Sequence, residues 1–262
     1  MSLTIGSLFS GIGGLELGLE RAGLGPVVWQ VEKDAYCRAV LAKHWPDATR
    51  YGDIRDVGRA TLAPVDVTAG GFPCQDVSFA GDGAGIFGER SGLWQEYLRV
   101  VRELRPRYVV MENVAALLVR GIGVILGELA RLGYDAEWST LSACAVGAPH
   151  VRRRLFIVAY PHREHGRSGL RDSAAQPPRT LQTVHGFESA RASWRARMAN
   201  PSALYGGADG ILDGSHRNRG IGNAVVPQVA EVVGRVVMAL EAELLENAHP
   251  ASRSGAGGSD AA

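Results

Sequence analysis

Cys74 follows the run Val65–Gly71 in the order Gly-Gly-Phe-Pro-Cys-Gln, so its thiol stands at the C-terminal end of an expected strand. That is the rim on which α/β proteins build their sites. The two glycines leave room around the sulfur and Pro73 stiffens its approach, which suits a nucleophile. Cys37 and Cys144 lack such flanks and are expected to be small buried hydrophobes. Glu112 closes a second apolar run, Met111-Glu112-Asn113-Val114. A carboxyl finishing a core strand is partly desolvated, so it should hold a proton closer to neutrality than usual. Gly6 through Gly14 (GSLFSGIGG) form a strand, a glycine-rich turn and a helix start, which lets backbone N–H groups approach a ligand. The third glycine of the dinucleotide fingerprint is misplaced, which disfavours a pyrophosphate cofactor. Glu32 ends the next strand, where an acid can bond a ribose diol. Asp53 follows a third short segment, where it can meet an adenine amine. Together these positions point to a nucleoside cofactor.

The elements that position these residues alternate. Strands are expected at Leu3–Phe9, Val27–Glu32, Val65–Gly70, Tyr108–Glu112, Ala136–Leu141 and Leu155–Tyr160. Helices are expected around Gly14–Ala22, Asp34–Trp45, Gly92–Leu104 and Ile122–Leu132. This is the pattern of a doubly wound, mostly parallel α/β sheet. A last helix over Val226–Leu245 gathers Val229, Val232, Val233, Val236 and Val237 on one face. Residues 1–160 read as a cofactor-binding catalytic domain, 161–214 as a short polar recognition region, 215–246 as a return to the catalytic domain and 247–262 as a disordered tail. At 46% hydrophobic and 21% charged residues the chain can build a core. No apolar run reaches the ~20 residues of a membrane helix. No signal peptide precedes the first strand and three cysteines suggest no disulfide framework, so a cytoplasmic protein is expected.

Charge is unevenly spread. Residues 151–220 hold twelve Arg, no Lys and five acids, a balance of +7 in a chain of net charge +1. Arginine forks match phosphate and guanine edges, so this segment suggests a nucleic-acid partner.

Five stretches, SLFSGIGGLELGLERAG, GGFPCQDVSFAG, MENV, GAPHVRRRLF and GNAVVPQV, resemble in order the signature motifs of the DNA cytosine-5 methyltransferases. The resemblance implies a Rossmann-like fold that binds S-adenosylmethionine, flips a cytosine out of double-stranded DNA and methylates C5 through a covalent Cys74–C6 intermediate. Cys74, Glu112, Arg152 and Arg154 would be the catalytic group. Phe9, Gly11, Gly13, Glu32, Asp53, Pro73, Leu93 and Asn223 would bind the cofactor, Asn223 in a place where it also buttresses the arginines. Gln75 and Ser78 would open a lid over residues 77–91, to which Arg90 belongs, and all three would meet DNA. Arg195 and Arg197, in the Arg-rich segment, are further candidate DNA contacts. No metal is implied. A monomer is expected, with a restriction nuclease or a recognition subunit as possible partners. Folded RNA is the alternative substrate, since nothing here reads a 2′-hydroxyl. The sixty-odd residues between Arg154 and Asn223 are fewer than such enzymes usually devote to target recognition, and Lys33 stands where many of them have an aromatic or aliphatic residue.

Overall fold

The computed structural model describes residues 2–73, 92–162 and 223–248. Its centre is a seven-stranded sheet: β1 (Ile5–Leu8), β2 (Val27–Val31), β3 (Thr49–Tyr51), β4 (Val67–Gly70), β5 (Tyr108–Val114), β6 (Tyr134–Ser142) and β7 (Arg153–Pro161). The spatial order is β3-β2-β1-β4-β5-β7-β6. The chain steps outward from β1 to β3, then returns to the other side of β1 for β4 and β5. The crevice outside the carboxyl ends of β1 and β4 is therefore the topological switch point, where open α/β sheets take their ligands. The first five strands are parallel; β7 runs antiparallel between β5 and β6.

Helices cover both faces, α1 (Gly14–Arg21) and α6 (Pro227–Ala248) on one, α3 (Gly92–Leu104), α4 (Leu117–Arg120) and α5 (Ile122–Arg131) on the other; α2 (Ala35–His44) links β2 to β3. The two-residue period of a strand divides the side chains between these layers. Tyr108, Val110, Phe156 and Val158 join α1 and α6, while Val109, Met111, Leu155 and Ile157 join the opposite core. The valines expected on one face of the last helix are buried there. Glycines let α1 and α6 touch: a Cβ on Gly18 would lie 2.3 Å from the Ala230 Cβ and 2.4 Å from the Pro227 carbonyl, and one on Gly234 would lie 2.6 Å from the Ala22 Cβ. At its far end Glu241 accepts from the Tyr108 hydroxyl at 3.0 Å and pairs with Arg107 at 2.8 Å, fastening α6 to the start of β5.

Some expectations shift. β3 is absent from the sequence reading, and α6 continues to Ala248, so residues 247 and 248 are helical rather than tail. Cys144 is exposed rather than buried, its sulfur 3.0 Å from the Ser142 hydroxyl. Among the described residues no helix is long and apolar enough to cross a membrane and no metal-binding cluster is found.

Candidate active site

A cavity of about 760 Å³ occupies the switch point, within the range that holds a nucleoside-sized ligand. Phe9 and Gly11 line it from the turn after β1, Glu32 from the end of β2, Asp53 from the loop after β3 and Pro73 from the loop after β4. Leu93 of α3 and Asn223, just before α6, complete the set of predicted cofactor residues on its wall. Gly13 is the exception. It lies behind the wall at φ +86°, where a Cβ would meet the Trp45 ring at 2.3 Å, so it shapes the turn rather than the cavity.

The turn after β1 is strained and buttressed. Phe9 has φ +53°, costly for a residue with a Cβ. Its ring stacks on Tyr97 with centroids 6.4 Å apart, within a cluster that also holds Phe72 and Trp94. Glu32 Oε2 accepts from the Gly11 N–H at 2.7 Å and Oε1 from the Asp34 N–H at 2.8 Å. Two backbone donors thus fix the carboxylate and leave lone pairs for a diol. Asp53 is gripped by Arg55, whose Nε and Nη2 reach its two oxygens at 2.9 and 2.6 Å, with Lys33 at 3.3 Å. These cations hold its carboxyl well below the usual range. Lys33 was expected beside the adenine in place of an aromatic or aliphatic residue, not as a partner of Asp53, and Arg55 was given no role although it stands only two residues on. Cys37 also lines the cavity, but burial pushes its thiol up to about 12, so it stays protonated.

Glu112 closes the same cavity on the β5 side. Burial raises its carboxyl to about 6, with Arg154 and Arg152 pulling the other way. Arg154 Nε lies 3.0 Å from Glu112 Oε1. The register explains the pairing: Val114 faces Arg154 and Glu112 faces Phe156, so the two side chains are diagonal neighbours on one sheet face. Arg152 precedes β7, and its Nε is buried without a hydrogen-bond partner among the described residues. Val225, Val226 and Val229 face both arginines across a small cleft, so valines of the returning segment buttress them while Asn223 lines the cavity. Gly71 makes room for the acid, since a Cβ there would lie 2.8 Å from Glu112 Oε2. Asn113, which the sequence reading passed over, donates from Nδ2 to the Phe72 carbonyl at 3.0 Å and accepts from the Val114 N–H at 2.8 Å. It ties β5 to the loop that leads into Pro73 and Cys74. Cys74, Gln75, Ser78, Arg90, Arg195 and Arg197 lie outside the described residues.

Residues 3–190 match the family described as C-5 cytosine-specific DNA methylase. The chain is 36% identical over 161 residues to the type II methyltransferase M2.BsuMI of Bacillus subtilis, covering 58% of this chain and 41% of that protein. It is 36% identical over 170 residues to the type II methyltransferase M1.HphI of Haemophilus parahaemolyticus, covering 60% and 46%. The chain thus spans about half the length of the curated relatives it matches. In fold it is similar to the S. pombe Dnmt2 methyltransferase, with a TM-score of 0.64 at 15% identity over 92% of this chain and 99% of that one. With the family's pattern matched over most of its length and a methyltransferase-like sheet around the cavity, the chain belongs to the C-5 cytosine-specific DNA methylases.

Proposed function

We propose that this protein transfers a methyl group from S-adenosylmethionine to C5 of cytosine in double-stranded DNA. The observation that carries the reading is the single cavity that joins Glu32 and Asp53, placed for a nucleoside, to Glu112 and to Pro73, the residue before Cys74. The cavity fits the cofactor in size and donor set. Asp53 would accept from the adenine amine, Glu32 would hold the ribose, and Phe9, Pro73 and Leu93 would flank the sulfur. S-adenosylmethionine, when bound there, supplies the electrophilic methyl that C5 receives.

The chain's own residues prepare C5, which is a poor nucleophile in cytosine. The Cys74 thiolate forms a bond to C6 while protonated Glu112 donates to N3, so the electron pair pushed into the ring collects at C5. Arg154 holds the Glu112 carboxyl in place, and Arg152 adds a second positive charge beside it. After methylation a water molecule takes the C5 proton, the electron pair re-forms the C5–C6 double bond as the C6–sulfur bond breaks and the thiolate returns, and N3 gives its proton back to Glu112. A stacked base is out of reach of such a thiol, so the cytosine must leave the duplex. Gln75, Ser78, Arg90, Arg195 and Arg197 are the proposed DNA contacts.

Bisulfite sequencing of DNA from cells producing the wild-type chain and Cys74→Ala tests the reading. Site-specific protection is expected with the wild type and none with the variant. Full protection in the variant would refute the covalent route, and protection in neither would refute the activity.

A further inference from the structure

Glu16 has no part in the site as described so far. It sits in the first turn of α1, completely buried, and forms part of the cavity wall beside Ser7 and Ser10. Neither of its carboxyl oxygens has a hydrogen-bond partner among the described residues. The Ser10 hydroxyl is turned to Ser7 instead, 2.9 Å between the oxygens. The nearby Ser7 and Ser10 ease its ionisation in part without reaching hydrogen-bond geometry, and Glu20, one turn on, adds repulsion. Gln30, which faces Ser7 in the β1–β2 register, is buried with both amide atoms unpartnered among the described residues. A carboxyl taken out of water without a donor is costly. On the wall of a ligand cavity, that cost is relieved when the ligand brings the donor.

Strand order says which part of the ligand that is. Asp53 follows β3 and Glu32 ends β2, so adenine and ribose lie over those strands. Glu112 belongs to β5, two strands beyond β1, roughly 10 Å at about 4.8 Å per strand. The reactive sulfur must face that side, toward the base. The amino-acid end is left for β1, where Ser7 and Glu16 stand. The other acids of the wall are already engaged, Glu32 by two backbone N–H groups, Asp34 by the Cys37 N–H, Asp53 by Arg55 and Lys33, Glu96 by Arg99, and Glu112 by its ion pair with Arg154.

We propose that Glu16 is the acceptor for the α-ammonium of the cofactor's amino-acid end. The assignment rests on the S-adenosylmethionine reading above. Calorimetry on the full chain, wild type and Glu16→Gln, tests it with S-adenosylmethionine, S-adenosylhomocysteine and 5′-methylthioadenosine, which lacks the amino acid. The variant is expected to bind the first two at least ~10-fold more weakly, about 1.4 kcal/mol or more, and the third within twofold of wild type, which also reports an intact pocket. Unchanged binding of the first two overturns the assignment. So does weakening confined to S-adenosylmethionine, which would make the sulfonium the partner, or equal weakening of all three. A measurement without any variant uses the deamino analogue of S-adenosylhomocysteine, expected to bind wild type at least ~10-fold more weakly than the parent; equal binding overturns the proposal. Failure of the wild type to bind any of these nucleosides would overturn the cofactor reading itself, whereas the other adverse results overturn only the role of Glu16.

Discussion

Glu16 also gives the ligand-free protein a measurable pH dependence. Its carboxyl is raised by burial from 4.5 to about 7, with nearby Ser7 and Ser10 offsetting part of the rise and Glu20 adding to it. Between those values the unfolded chain has released this proton and the folded chain has kept it. Folding is therefore favoured below about pH 4.5 and loses stability as pH climbs toward 7, by about 1.4 kcal/mol per unit. Above 7 both states are ionised and the loss is complete. Glu16→Gln cannot ionise and is free of it. The stability difference between variant and wild type should thus grow in the variant's favour by about 2 to 3 kcal/mol between pH 5 and pH 8. Glu112, raised to about 6, tilts both proteins the same way and cancels in the difference. Urea unfolding followed by circular dichroism at the two pH values, at fixed ionic strength and without nucleoside, measures it. A difference that stays flat to within ~0.5 kcal/mol would show that Glu16 reaches water or a donor in the folded chain, and the burial argument would fall.

Three further outcomes are expected. Glu112→Gln should lower the rate of methyl incorporation by at least ~10²-fold, measured as initial rates on duplex DNA; a rate within twofold of wild type would leave Glu112 a structural role only. Gly18→Ala should cost about 1 to 3 kcal/mol and lower Tm by several degrees, because the added methyl meets the Pro227 backbone as well as the Ala230 side chain; an unchanged melting curve would mean that α1 and α6 separate freely. Asp53→Ala and Glu32→Ala should each weaken nucleoside binding by roughly tenfold per ~1.4 kcal/mol of lost bonding and leave DNA affinity unaltered, a split that paired titrations would reveal.

The strands and helices that were legible are those with long periodic signals. β1, β2, β4, β5 and the valine face of α6 all bury mostly apolar residues. β3 escaped notice because Thr49-Arg50-Tyr51 is three residues at a sheet edge, with no apolar alternation to betray it. Seven of the eight predicted cofactor residues line the cavity, because the positions that the family resemblance matches lie in the turns after β1 to β4, at the start of α3 and just before α6. What spacing cannot supply is contact across the sheet. Asn113 on the Phe72 carbonyl and Gly71 under Glu112 depend on how separate segments meet in space, whereas Arg55 on Asp53 is a local contact within one turn. Glu16 was hidden for a different reason: in sequence it is an ordinary acid near a helix N-terminus, and only its burial without a hydrogen-bond partner among the described residues sets it apart.

Strand direction was equally hidden, and the chemistry depends on it. The strand–helix alternation leads to the expectation of a mostly parallel sheet without saying which strand is reversed; β7 follows β6 through a short 3-10 turn at Ala143–Val146 rather than a full crossover helix. A connection that short cannot return the chain to the other end of the sheet, so β7 must run antiparallel. Were it parallel, its first residues would start at the edge remote from the cavity, about 20 to 30 Å from Glu112 for a strand of this length. Because it is reversed, Arg153 and Arg154 begin beside the carboxyl end of β5, and the Arg154 guanidinium reaches Glu112 at 3.0 Å. The same reversal brings Arg152 and Arg154 against Val225, Val226 and Val229. The acid and its cations are forty or more residues apart in sequence, and the hairpin between β6 and β7 is what makes them neighbours.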